Sequence, residues 1–226
     1  MINILSSRTI YDKPYVKKHL EKYIHKDSKI CVIAFSQFES DDMLDQYHKG
    51  YEQPEGIWYL HILEPFLSYG IHPDNVSWVI YKKDTADSAI KKVSDADIIF
   101  LPGGAPEKFY NRLVEYNLVH AIKNSNKVVM GPSAGTMVQF NWFHISKDRD
   151  YKKYQISDGI GLIEDFGVEV HYNRRKQQKK SLRRTSHFHE RPIYVIYEPG
   201  FMIIEDGKII YSHMVTKYYE KGKRVK

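Results

Sequence analysis

The sequence predicts an α/β protein: a mostly parallel sheet flanked by helices on both faces, with a β-hairpin at the C-terminal end. Three observations carry this. Short β-branched runs alternate with stretches of helical periodicity along most of the chain, the pattern of a parallel sheet with crossover helices. The run "KICVIAF" is apolar without interruption, as a strand covered on both faces must be. Near the end, "FMIIE" and "KIIYS" are joined by Asp206-Gly207, a two-residue hairpin turn.

Taken in order, "INIL" (2–5) is the first strand, and "PYVKKHLEKYI" follows with Val16, Leu20, Tyr23 and Ile24 at helical spacing. "KICVIAFS" is the second strand. The stretch "SQFESDDMLDQYHKGYEQPEG" is long and irregular and reads as a surface loop. "GIWYLHILEPFLSYGI" reads as a helix that stops near Gly70, and "VSWVIY" as a strand. "DSAIKKVSDAD" reads as a short helix. "DIIFLPGG" is a strand ending in a glycine pair. "PEKFYNRLVEYNLVHAIKN" reads as one long helix, with Pro106 suited to its first turn. "KVVM" is a strand, "AGTMVQF" opens a helix, and "FGVEVHY", "PIYVIYE" and the hairpin complete the sheet. With no repeat, low-complexity block or linker, the expectation is a single domain over 1–226.

Composition limits the function classes. At 226 residues and 42% hydrophobic, the chain can bury a core and is not of disordered type. Its one cysteine, Cys31, sits within a strand and reads as a core residue. No signal-peptide pattern and no apolar run of membrane-spanning length is visible, so a cytoplasmic protein without a membrane partner is expected. The net charge is +6, concentrated in "RRKQQKKSLRR" (174–184) and in the tail "KYYEKGKRVK". Without a nucleic-acid-binding signature beside these cations, no nucleic-acid partner is expected, and both segments read as solvated and mobile.

Two strand–glycine–helix units draw the site. "DIIFLPGGAPEKF" and "KVVMGPSAGTMVQF" each end a strand at its carboxyl end, where open parallel sheets bind ligands. The second fits Gly-x-Ser-x-Gly, in which a serine on a tight strand-to-helix turn projects from the sheet while glycines let neighbouring backbone pass. By itself the pentapeptide fits a nucleophile, an anion cradle at a helix start, or a plain turn. A nucleophilic Ser133 needs a base. His171, at the end of "FGVEVHY", is the leading candidate, with His187 and His189 as rivals. Asp148 and Asp150 in "SKDRDYKKY" lie between serine and histidine, either as an orienting carboxylate or as part of an exposed loop.

"FLPGGAPEKF", "VVMGPSAGTMVQF", the "KDRDY" loop, "ISDGIGLIEDFGVEVHYN" and "DGKIIY" together resemble the peptidase E and cyanophycinase family of serine peptidases, over about Ile98 to Tyr211. That family is similar in fold to the class I glutamine amidotransferases. The resemblance implies that Ser133 is the nucleophile, His171 the general base and Asp148 the third member, with Asp150 the alternative. It implies Gly103, Gly104 and Ala134 as oxyanion donors, and no metal or organic cofactor. This chain departs from the family at its histidine, which stands in "VHY" rather than Asn-Pro-His. The resemblance further implies a small peptide substrate, with an aspartyl residue favoured on the acyl side. Arg174 and Arg175 would then be candidates to pair with the substrate carboxylate. A homodimer is compatible with the sequence. An esterase or amidase using the same residues, or a non-catalytic anion-binding protein, are the competing readings.

Overall fold

The computed structural model describes residues 1–38 and 43–225. At its centre are five parallel strands, β1 (Ile2–Ser6), β2 (Ile30–Ala34), β3 (Val76–Ile80), β4 (Ile98–Phe100) and β5 (Val128–Pro132). They lie in the order β3-β2-β4-β5-β1. Two short strands, β6 (Trp142–Ile145) and β7 (Gln155–Asp158), form a separate antiparallel ribbon. β8 (Gly167–Glu169) runs parallel to β9 (Ile193–Glu205), which pairs antiparallel with β1 and continues into β10 (Lys208–Glu220) and the short β11 (Lys223–Arg224). The turn between β9 and β10 is the expected Asp206-Gly207, both residues at positive φ, 47° and 77°. That is the geometry a two-residue type I′ hairpin needs.

Alternation along β2 shows why its run is apolar throughout. Ile30, Val32 and Ala34 pack into the core on one face, Cys31, Ile33 and Phe35 into the core on the other. The first face is covered by α1 (Pro14–Leu20), α2 (Leu44–Gly50) and α3 (Ile57–Leu67), through residues such as Leu20, Tyr47 and Phe66. The second is covered by α4 (Ala86–Asp95), α5 (Pro106–Glu115) and α6 (Leu118–Lys123), through Val93, Phe109 and Ile122. Cys31 is fully buried, and that burial pushes its thiol up to about 12, so it is a packing residue. Among the described residues no helix is long and apolar enough to cross a membrane.

Five segments differ from the sequence expectation, the first being the tail "KYYEKGKRVK", expected to be solvated and mobile: it ends β10 and forms β11, with Tyr218 and Tyr219 buried. The long helix after Pro106 is two helices, broken at Asn117, whose φ of 56° leaves the right-handed helical region; asparagine tolerates this better than most residues. The irregular stretch after Ser36 contains α2, which sends Tyr47 into the core; residues 39–42 of that stretch lie outside the described residues. The helix after Ser133 is a single turn, α7 (Ala134–Met137). The basic segment 174–184, expected to be a mobile loop, is largely helical: α8 (Lys176–Phe188) buries Gln178, Ser181, Leu182 and Thr185 along one side.

Candidate active site

The carboxyl ends of β5 and β4 are held together by close backbone approach. A Cβ on Gly131 would stand 2.0 Å from the Leu101 carbonyl oxygen, and one on Gly135 only 1.7 Å from the same atom. Both glycines of the pentapeptide are thus required by sterics, since only a missing side chain lets the Leu101 carbonyl pass between strand end and helix start. Gly135→Ala should therefore lower stability by at least about 3 kcal/mol, because backbone rather than a flexible side chain must move. In a thermal melt that is a fall in Tm of roughly 6 to 12 °C. A shift under about 2 °C would show that the turn can relax without the glycine.

Between these glycines, Ser133 is held at φ 53°, ψ −114°, a left-handed backbone that a non-glycine residue adopts only when its surroundings enforce it. The enforcement comes from β1. The Ser133 N–H donates to the Ser6 carbonyl (2.9 Å), and the Thr136 hydroxyl donates to the carbonyls of Ser6 (2.9 Å) and Gly131 (2.7 Å). Ala134 is the first residue of α7, so its N–H has no partner within the helix.

The second glycine turn sits alongside. A Cβ on Gly103 would touch Ser133 Cβ at 3.4 Å, which places this turn against the serine. Gly104 has φ 148°, and a Cβ there would collide with the Ser36 carbonyl at 2.0 Å. The Ser36 hydroxyl donates to Gly103 O (2.7 Å), and the Ala105 N–H donates to Ser36 O (2.7 Å), fixing the turn from β2. Gly104, Ser133 and His171 line one cleft of about 1120 Å³.

His171 follows β8 and also has a positive φ, 53°. Its Nε2 lies 2.8 Å from Ser133 Oγ. The turn that carries it is pinned on two sides: the Tyr172 N–H donates to Ile196 O (3.0 Å), and Gln178 of α8 donates through Nε2 to the His171 carbonyl (3.0 Å). The other ring nitrogen, Nδ1, makes a direct hydrogen bond with Glu198 Oε1 on β9. The second oxygen of Glu198 accepts from Arg8 Nη2 at 2.9 Å. Burial alone would raise the Glu198 pKa, but the hydrogen bonds from Arg8 and His171 outweigh it and leave the carboxyl below its ordinary value.

The carboxylate that meets the histidine is therefore Glu198, neither Asp148 nor Asp150. Both aspartates sit in the β6–β7 loop on another part of the cleft wall. Asp148 Oδ1 accepts from the backbone N–H groups of Asp150 (2.9 Å) and Tyr151 (2.8 Å), capping its own turn, while Asp150 pairs with Arg149 (3.5 Å). Arg174 and Arg175 line the cleft, as does Arg8. His187 is exposed, and His189 stacks flat on Trp142 (3.6 Å, 9°), with burial pushing its pKa down; neither lines the cleft. Deeper in the wall, Glu169 Oε2 contacts His144 Nε2 (2.6 Å) and accepts from the Ser146 hydroxyl (2.8 Å), both partners of the pair being buried. Among the described residues no cluster of histidine, cysteine or acidic side chains could hold a metal ion.

The sequence expectation placed the carboxylate between serine and histidine, whereas Glu198 lies after both. The available signal was "YEPG", an acidic residue on the strand that follows the histidine.

No curated protein matches the chain significantly in sequence. Among solved structures, a protein of Listeria monocytogenes EGD-e provisionally named a peptidase E superposes with a TM-score of 0.66 at 16% identity, covering 94% of this chain and 98% of the other. A peptidase from an acI-B1 Actinobacterium superposes with a TM-score of 0.61, also at 16% identity, over 96% of this chain and 87% of the other. At such identities the likeness is one of fold. A sequence model of peptidase family S51 matches residues 58–212, a span that includes both glycine turns, Ser133, His171 and Glu198. The chain therefore belongs to peptidase family S51 and is a serine-type peptidase.

Proposed function

We propose that this peptidase hydrolyses small peptides through an acyl-enzyme formed on Ser133, with His171 as general base and Glu198 as the residue that orients it. The observation that carries the reading is the hydrogen-bonded chain from Ser133 Oγ through the His171 ring to Glu198 at the carboxyl end of β5. With Nδ1–H donating to the ionised Glu198, the imidazole presents a lone pair at Nε2 toward the serine hydroxyl. Ser133 Oγ attacks the peptide carbonyl as its proton passes to Nε2, and the carbonyl oxygen becomes an oxyanion. The N–H groups of Gly104 and Ala134 are the donors proposed for it, Ser133 N–H being engaged by Ser6 O. The protonated His171 then gives its proton to the leaving amine as the C–N bond breaks. Water, deprotonated by the same nitrogen, cleaves the ester and restores the serine.

For the substrate, the cations Arg8, Arg174 and Arg175 around the cleft favour an acidic residue beside the scissile bond. An aspartyl dipeptide is the simplest such substrate. A fluorophosphonate probe tests the nucleophile directly, with labelling expected at Ser133 in wild type and lost in His171→Ala. Dipeptide hydrolysis tests the preference: kcat/KM for Asp-Ala should exceed that for Ala-Ala. No labelling of a folded protein would count decisively against covalent catalysis.

A further inference from the structure

We propose that the exposed face of α8 is a docking track for the acidic remainder of a longer peptide whose end lies in the cleft, an inference that rests on the peptidase reading above. From Arg174 to His189 the chain has no acidic residue. At 100° per residue, Lys176, Lys179, Lys180, Arg183, Arg184 and His187 fall within about 140° of arc, opposite the buried Gln178, Leu182 and Thr185. All six basic residues are exposed, and among the described residues none of the lysines and arginines forms an ion pair. Like charges at i, i+3 and i, i+4 repel. Arg175 and Lys176 also stand at the positive end of the helix dipole. The stripe is thus an uncompensated positive surface, held in shape by the inward face of the helix.

Its position favours a peptide over other anions. The stripe begins at Arg174 and Arg175, which line the cleft with Ser133, and Gln178 of the same helix holds the His171 carbonyl. Cations run from there along a helix of thirteen residues, about 20 Å at 1.5 Å per residue. An extended peptide covers that distance with about six residues. Asp148 and Asp150 line the cleft from a different element, the β6–β7 loop, where Asp150 pairs with Arg149 and Asp148 accepts from the N–H groups of its own turn.

The test compares Asp-Ala-Glu-Glu-Glu-Glu-Glu-Glu with its counterpart carrying serine at every glutamate position, using Asp-Ala for basal turnover. Binding is measured by fluorescence anisotropy on the Ser133→Ala protein, and hydrolysis on wild type. The acidic peptide is expected to bind and be cleaved about tenfold better than the serine peptide in dilute buffer. The advantage should vanish near 0.5 M salt, where the Debye length is only a few ångström. Lys179→Glu with Lys180→Glu and Arg183→Glu should erase it and leave Asp-Ala hydrolysis unchanged. The corresponding glutamine variants, checked for folding by circular dichroism, guard against misfolding under charge reversal. Equal binding of the two peptides, or an advantage that survives charge reversal, overturns the proposal. So does displacement of the acidic peptide by a single-stranded RNA of equal charge at lower concentration, which would make the face a nucleic-acid surface. Failure to hydrolyse Asp-Ala would instead strike the peptidase role of the site, and the anisotropy result would still decide the docking track.

Discussion

Ser133→Ala should abolish peptide hydrolysis and leave the fold intact. The substitution removes one oxygen from the cleft wall, while the contacts that hold residue 133 at positive φ are backbone bonds to β1 and α7 that alanine keeps. The stability change should therefore stay within about 1 kcal/mol. Catalysis should fall by a factor on the order of 10^4 to 10^6, since the nucleophile and its base act as a unit. His171→Ala should cost nearly as much, and the double variant little more than either alone. Hydrolysis of Asp-Ala by purified protein, freed of contaminating peptidase, is the measurement. Turnover above about a tenth of wild type in Ser133→Ala would remove serine from the mechanism, and additive losses would break the pairing with His171.

The parts of this site that the sequence disclosed are those set by local backbone chemistry. Gly131 and Gly135 are legible because a carbonyl must pass where a Cβ would be, and Gly103-Gly104 because a turn must close against β2 and the serine. His171 was legible because a strand ends there. The core strands were legible for a similar reason: β2 and β5 are apolar on both faces, and that is a property of the residues themselves. Glu198 depends on something else. It reaches His171 only because β9 lies antiparallel against β1 and β8 pairs alongside it, a long-range arrangement that no spacing in the chain encodes. Asp148 was the nearer carboxylate in sequence, yet its oxygen is drawn into capping its own turn, a common fate of aspartate in loops. The α8 segment differs from its sequence expectation for a third reason. Its charge density suggests solvent, but Leu182, Ser181 and Thr185 recur at helical spacing and give it an inward face.

Glu198→Gln against Asp148→Asn settles which carboxylate serves the histidine. Both changes keep shape and remove charge, so packing effects are small. At position 198 the amide can donate to Nδ1, which favours the wrong tautomer and also removes the anion facing the developing imidazolium. A loss in kcat on the order of 10^3- to 10^4-fold is expected. At position 148 the asparagine oxygen can still cap the turn at Asp150 and Tyr151, so kcat should fall by no more than about threefold. The pH dependence provides a second check. Because Arg8 and His171 hold the Glu198 carboxyl below its ordinary value, its ionised form persists as pH falls through the usual glutamate range near 4.3, while the stability it contributes is full above that range and declines once pH drops below it. That contribution is gone once pH has fallen through the lowered folded value, where the carboxylate itself is protonated. The difference in unfolding free energy between wild type and Glu198→Gln, read by urea denaturation, should accordingly be largest above that range, shrink as pH falls below it and level off beneath the folded value. In the Arg8→Ala background, where the strongest of the lowering hydrogen bonds is gone, that difference should be smaller and level off at a higher pH. A large loss in Asp148→Asn beside a small one in Glu198→Gln would return the role to the β6–β7 loop and leave Glu198 as a partner of Arg8 alone.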